Sequence, residues 1–461
     1  MSSLFGSLSV ALSSLLAQQA ALETTSQNIA NLNTPGYSRQ RPVLREESSV
    51  LSGTTLIGGG VSLEKVESIR DQILELRLHQ ESQQQGQLEA FLGSTRQVEA
   101  LFNETRGAGL QEVMSKFFDS LQALAVNPTS LPLRQAVLTA GQNLAETFSR
   151  TAGQLGQLQH SLDQSVTQSV AEINTLAANI ADLNREVAAM QNAGQAAGEL
   201  EDQRTEAIRK LAGLVDLSVI QADRSLTLTT AKGTALVVGA QSFALETRTD
   251  LGTGFQHIFA QGTDITSTLT AGQVGGSLQV RDQTIPSYLA DLDNLAAQLR
   301  NSVNAVHRAG FDLAGAPGGD FFRPFVAPLG SNAGAANSFA VTLSDPAKLA
   351  ASLDGTPGNN GNLAALADIR NQTIVNGQRP LDFYANFVFR IGNDVSDASA
   401  QLEAGDLVLQ QLQNQRGAIS GVSLDEEAAN LIRYQRAFEA AARVVATVND
   451  LLDTAVNLGR N

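Results

Sequence analysis

The side chains that most often carry chemistry are few in this chain and poorly spaced for it. The four histidines, His79, His160, His257 and His307, stand far apart. None falls at an H-x-x-x-H spacing that would set two imidazoles on one helix face, and with no cysteine there is no thiolate co-ligand. Each is read as an ordinary surface or groove residue. No G-x-S-x-G, Walker or G-x-G-x-x-G sequence opens a helix. Gly58-Gly59-Gly60 has the composition of a phosphate cradle, but it leads into the strand-like Val61 and is read as a joint. Asp425-Glu426-Glu427 has the charge to hold a cation; carboxylates there also complement the positive end of a helix that starts at Leu424. Gly318-Gly319-Asp320 has the composition of a Ca²⁺ loop and equally of a turn before Phe321-Phe322. The expectation is no catalytic residue, no metal and no cofactor.

Bulk properties narrow the classes further. A net charge of -15 disfavours nucleic acid and anionic membrane surfaces as partners. No run of apolar residues reads as long enough to cross a bilayer, which takes about 20. The N-terminus has neither a basic region nor a small-residue cleavage site, so it is not read as a general secretory signal.

What the sequence does carry is packing information. Leu4, Leu8, Ala11, Leu15, Leu22 and Ile29 recur at alternating three- and four-residue spacing, and Phe5, Leu12 and Leu16 widen the stripe. The far end repeats the pattern with Leu424, Ala428, Leu431, Phe438, Ala442, Val445, Leu452 and Val456. Both predict amphipathic helices with a coiled-coil-like seam. A solvated helix usually shows charge on its free face. Before Arg39 the first helix has only Glu23, amid Ser, Gln, Thr and Asn. The two stripes are therefore predicted to pack on each other, Leu8, Leu15, Leu22 and Ile29 against Leu431, Phe438, Val445 and Leu452, and on further copies of the chain.

Between these ends the period changes several times. Asn31-Leu32-Asn33-Thr34-Pro35-Gly36-Tyr37 is turn chemistry and ends the first helix. The chain then reads as extended to Val61. Helix resumes at Leu63 with Val66, Ile69, Ile73 and Leu76, and is interrupted at Arg106-Gly107-Ala108-Gly109. A near-heptad pattern from Leu133 to Met190 predicts one helix about 90 Å long. Short runs between Leu217 and Val280, punctuated at Asp223-Arg224 and elsewhere, predict strands. Helix returns at Pro286, Phe311 to Asn376 is loop-like, and a long helix covers Asp382 to Arg416. The last helix opens with a capping box, Ser423 and Glu426.

The predicted fold is mainly α with an inserted β domain, built as nested discontinuous domains. Residues 1–60 and 417–461 form the terminal coiled-coil pair with its extended arm. Residues 61–214 and 286–416 form a rod-like bundle of long helices containing the loop-rich segment 312–380. Residues 215–285 form a small β domain farthest from the termini.

Asn28-Ile29-Ala30-Asn31-Leu32-Asn33-Thr34-Pro35-Gly36-Tyr37-Ser38-Arg39-Gln40 resembles the N-terminal signature of the bacterial flagellar rod, hook and hook-associated proteins. Asn31, Thr34, Pro35, Gly36 and Tyr37 are its specific core. Three further stretches bring the chain closer to the members that join hook to filament. They are Gly59-Gly60-Val61 with Arg70-Asp71-Gln72; Gln273-Val274-Gly275-Gly276-Ser277-Leu278 with Asn304 to Asp312 and Gly319-Asp320-Phe321-Phe322; and Ser423 to Leu431 with Tyr434-Gln435. The resemblance implies a secreted structural subunit of the extracellular flagellum, exported uncleaved by the type III route. It implies terminal helices packed as a ring or helical homo-oligomer, a flagellar export chaperone on the C-terminal helix, and hook protein and hook-associated protein 3 as neighbours. The alternatives are another axial protein (hook protein or hook-associated protein 3), a peptidoglycan-cleaving protein with axial-type termini, and an intracellular coiled-coil scaffold. Long heptad runs speak against hook protein, and no carboxylate pair stands out for wall cleavage.

Overall fold

The computed structural model describes residues 2–52, 55–103, 109–222, 225–326 and 330–458. The predicted breaks at Arg106-Gly107-Ala108 and Asp223-Arg224 lie outside these residues. The two terminal helices, α1 (Ser2–Ala30) and α10 (Leu424–Leu458), run against each other. The fully buried side chains of α1 are small, Ala11, Ala17, Ala21, Thr24 and Thr25 among them, and the Thr24 hydroxyl donates to the Ala20 carbonyl at 2.9 Å. Within Leu4–Ala30 an 18-residue window reaches a mean hydropathy of 1.3, enough by length and composition to cross a bilayer, although its Leu, Val and Ala are scattered and form no continuous apolar run.

An arm follows α1. Strand β1 (Gln40–Glu46) pairs antiparallel with β4 (Val61–Ser68), from Gln40 opposite Ser68 to Glu46 opposite Val61. A short hairpin, β2 (Val50–Ser52) with β3 (Thr55–Ile57), lies beyond that ladder. The helix expected from Leu63 therefore starts later, as α2 (Gln72–Leu101), and Val66 is in a strand. Two facts decide this, one non-local and one local. Strand β1 supplies a pairing partner, and Asp71 caps α2 by accepting from the amides of Ile73 and Leu74 at 2.9 and 3.1 Å.

The remaining helices are α2, α3 (Leu110–Val126), α4 (Leu131–Asn192), α5 (Gly198–Leu214) and, after the β segment, the short α6 (Gly272–Gln279), α7 (Ile285–Ala309), the short α8 (Gly361–Asp368) and α9 (Pro380–Ser420). Helix α4 runs 62 residues without a break at Gly153 or Gly156, about 93 Å at 1.5 Å per residue. It serves two cores. Its first half joins α3, α7, α8 and the start of α9. Its second half, from Val166, joins α5, α6 and the sheets.

The sheets are antiparallel: β5 (Ser218–Ala222), β6 (Ser225–Thr229), β7 (Ala235–Val238) and β8 (Gln241–Ser242) in sequential order, then β9 (Leu245–Thr249), β10 (Gln256–Ala260) and β11 (Thr263–Asp264). Two corrections apply. The strand read at Leu278 to Val280 is the end of α6 and a π-helical turn, Val280–Thr284, leading into α7. Glycine makes this possible: a Cβ at Gly276 would stand 2.3 Å from the Gln87 carbonyl oxygen, so only glycine lets α6 lie this close to α2. The β segment is also not farthest from the termini. Gln83, early in α2, donates to the Leu217 carbonyl, and the distal end belongs to α3, the start of α4, α8 and residues 311–375.

Residues 311–375 read as loops, yet Phe321, Phe322, Phe339 and Leu349 are core. Polar side chains of α7 organise them. The Asn304 amide oxygen accepts from the amides of Phe321 and Phe322 at 3.0 and 2.9 Å, and its amide nitrogen donates to the Phe322 carbonyl. Asp293 accepts from the amides of Gly334 and Ala336, and Arg300 donates to the Ala335 carbonyl at 2.7 Å. His307 is buried rather than in a groove: the Ala350 amide donates to its Nε2 at 3.0 Å, so Nδ1 carries the proton bonded to the Gly319 carbonyl at 2.8 Å. His79 is buried too, whereas His160 is exposed beside Phe255 and His257 is half-buried against Asp264.

Gly276→Val is expected to lower the stability of the rod by about 1–3 kcal/mol, read as a fall in the thermal midpoint by circular dichroism. Burial also holds the His307 imidazole below its usual 6.5. The unfolded chain then binds more protons, so this contribution to stability is full above pH 6.5 and is lost as pH falls towards the lowered native value. His307→Gln should remove that part of the pH dependence, measured by urea unfolding at pH 7 and pH 5.

Candidate functional site

The predicted signature forms a turn. Tyr37 N donates to the Thr34 carbonyl at 3.2 Å, Pro35 takes the second turn position, and Gly36 takes the third with φ +85°. That is a type II turn, whose third position favours glycine. Asn31 braces it, donating to the Gln27 carbonyl and accepting from the Thr34 hydroxyl at 3.1 Å.

The turn exists to reverse the chain past Asn28. This buried amide lies where α1, the arm and α10 meet. Its oxygen accepts from the Gln40 amide and the Tyr37 hydroxyl, both at 2.9 Å; its nitrogen donates to the Gln40 carbonyl at 2.8 Å and to Glu427 Oε2 at 3.1 Å. Glu427 is itself buried, at 2% exposure, and takes Arg39 Nη2 at 2.7 Å. Glu426 takes Arg39 Nη1 at 2.6 Å. The expected capping box is thus superseded, since Glu426 turns to Arg39. Burial alone would lower the Arg39 guanidinium; the two carboxylates outweigh it and raise it.

Two more arginines extend the cluster. Arg70 binds Glu201 at 2.7 Å and Asp202 at 2.8 Å, while the other Asp202 oxygen accepts from the Ser38 amide. Arg416, near the end of α9, binds Glu75 at 2.7 Å and the Gly36 carbonyl at 2.8 Å. Burial, then the nearby Asp202, Glu427 and Glu199 carboxylates, push the Tyr37 hydroxyl up to about 12, so it stays a donor. Glu75, Glu201, Asp202, Glu426 and Glu427 each accept from an arginine, which makes the cluster a lock rather than an acid–base pair. Among the described residues no group of three metal-type side chains gathers.

The hub joins six elements: α1, the arm, α2, α5, α9 and α10. Sequence reading named the turn but passed over Asn28, Arg39, Arg70, Arg416 and Glu427 as site residues. The available signal was Arg39, a lone cation after 38 residues with one charge, set against three acids at the start of α10. The eight predicted contact residues, Leu8, Leu15, Leu22, Ile29, Leu431, Phe438, Val445 and Leu452, are all half-buried along the terminal pair. The fully buried positions are smaller or lie nearer the hub.

Asn28→Ala leaves the Tyr37 hydroxyl and both Gln40 backbone groups without this partner, at about 1–3 kcal/mol. The expected result is faster amide exchange in residues 38–46 and at the start of α10, with exchange in α4 unchanged.

Comparison with known proteins agrees with this architecture. Residues 95–322 match the family model described as flagellar hook-associated protein FlgK helical domain. Residues 8–37 match that of flagella basal body rod protein, and residues 415–458 that of the flagellar basal body rod FlgEFG protein C-terminal region. Flagellar hook-associated protein 1 of Bacillus subtilis (strain 168) is 30% identical, covering 99% of both chains. That of Salmonella typhimurium is 28% identical, covering 97% of this chain and 99% of its own. The hook junction protein FlgK from Burkholderia pseudomallei shares the fold, with a TM-score of 0.67 at 18% identity over 75% of this chain and all of that one. The chain belongs to the flagellar hook-associated protein 1 family, structural proteins of the bacterial flagellum.

Proposed function

We propose that the protein is the adaptor that joins hook to filament, working by packing and without covalent chemistry. One observation carries this reading. The α1–α10 pair leaves an apolar stripe open on α1, formed by Phe5, Leu12 and Leu16, and leaves Ile432, Val444, Leu451 and Val456 exposed around α10. An outward apolar stripe on α1, whose only charge is Glu23, calls for neighbours. Copies of the chain arranged around a helical tube would cover these side chains, each copy meeting the next through the same two surfaces.

In this reading α1 and α10 with the β1–β4 arm are the tube element, α2 to α9 the surrounding rod, and the strands from Ser218 to Asp264 a β insertion beside it. The hub stands at the first boundary. Hook protein would adjoin on one side and hook-associated protein 3 on the other. Before export by the type III route, a chaperone would cover the exposed apolar side chains of α10, since the monomer would otherwise carry them bare. Leu8, Leu15, Leu22 and Ile29 against Leu431, Phe438, Val445 and Leu452 form the intramolecular seam on which the outer apolar side chains are displayed.

The test is Leu12→Asp with Leu16→Asp. Both positions are exposed, so the purified variant should melt like the wild type. It should be missing from sheared hook–filament particles, and the cells should not swim. Phe438→Asp should likewise stop assembly with the rod still folded. Normal filaments containing either variant would rule the reading out.

A further inference from the structure

A cleft of about 930 Å³ opens beside the hub. Its walls are β4, the start of α2, the turn from α4 to α5, and β5. Two features set it apart from the other surface hollows. Both bordering strands have a free edge: among the described residues β4 pairs only with β1, and β5 only with β6. And His79, 6% exposed, lines it with neither ring nitrogen bonded.

The chemistry of the lining limits what fits. Ile73, Leu76 and Val219 supply apolar contact, and Gln195 and Gln221 supply amides. Most of the charges have partners: Arg70 with Glu201 and Asp202, Lys65 with Glu67, Glu75 with Arg416, and Arg204 with the Asn184 amide; Glu64 stands exposed at the rim. An uncharged, extended, aliphatic strand suits such a cleft, adding to a sheet edge by main-chain hydrogen bonds.

The chain carries one such strand pair. Residues 48–60 hold no charge, and four of the six residues in β2 and β3 are Val50, Leu51, Leu56 and Ile57. A lone two-stranded hairpin is marginal in water. The cleft runs along β4 from Glu64 to Ser68, and the hairpin leaves the ladder beyond its Val61 end, about 10 Å from Glu64 and about 20 Å from Ser68 at 3.3 Å per residue, where Gly60 lies against Val10 of α1.

We propose that the β2–β3 hairpin docks in this cleft on a second copy of the chain, as an added strand on the free edge of β5. This rests on the self-assembly reading above. A neighbour displaced along α1 by about the length of the ladder brings hairpin and cleft together. Docking would tie the arm of one subunit to the rod of the next and give His79 a backbone partner.

The chain has no cysteine, so engineered pairs report cleanly. Thr55→Cys with Gln221→Cys, in hook–filament particles under mild oxidation, should give covalent multimers that reduction dissolves. Thr55→Cys with Thr356→Cys, and the dilute monomer of the first pair, should give none. Particles that contain the first pair but yield no multimers, including with Ser218→Cys or Ile220→Cys in place of Gln221→Cys, would overturn the docking while leaving self-assembly intact. Absence of the wild-type chain from the particles would overturn the adaptor reading and this inference together.

Discussion

A buried carboxylate needs partners, and the architecture of this protein converges on supplying them to Glu427. It sits at the first turn of α10, shielded from water, with Arg39 on one side and Asn28 on the other. Uncompensated burial of such a charge costs several kcal/mol. The compensation comes from residues about 400 positions away in sequence, so the first and last segments of the chain are held as one unit. Asn28 does the further work of binding both backbone groups of Gln40, which sets where the arm leaves α1. The turn with Gly36 follows from that need, since the chain must reverse within a few residues to return to its own helix.

From the hub the molecule grows in two directions with different physics. Towards the termini, α1 packs on α10 through small side chains and carries only Glu23 as a charge, leaving apolar side chains of both helices uncovered. Such a pair is stable enough to present a surface but not to satisfy it. Away from the termini, α2, α4 and α9 run as long helices, and stability comes from filled cores along α4. The aromatic cluster of Phe117, Phe321, Phe322 and Phe339 closes the distal end, where the rings meet at centroid distances of 4.5 to 5.8 Å. Arginine clusters at the hub couple the two directions, so the angle between tube element and rod is set by directional charged hydrogen bonds.

The distal segment shows how irregular chain can be core. Residues 311–375 have little periodicity, because their backbone groups bond to side chains rather than to a ladder. Asp293, Arg300, Asn304 and His307 occupy one face of α7 at helical spacing and serve those groups. Arg134 on α4 does the same, donating to the carbonyls of Pro128 and Leu349 at 2.7 Å each. Read alone, four polar residues on a helix suggest a solvated face. Their role becomes visible only once the segment they bind is in place.

Several features were settled by the sequence by itself. The 3.6-residue period of apolar side chains defines α1, α4, α9 and α10, because helix formation is local and the stripe records which face is buried. The Thr34-Pro35-Gly36-Tyr37 turn is local for the same reason. Only the tertiary structure decided the rest. Residues 61–68 form a strand because β1 is there to pair with them, and residues 272–279 form a helix because Gly276 can approach Gln87. The β segment lies beside α2 rather than at the far end, and Arg39 prefers two distant carboxylates to solvent. Each of these depends on what stands opposite a residue in space, and a one-dimensional pattern holds no record of that.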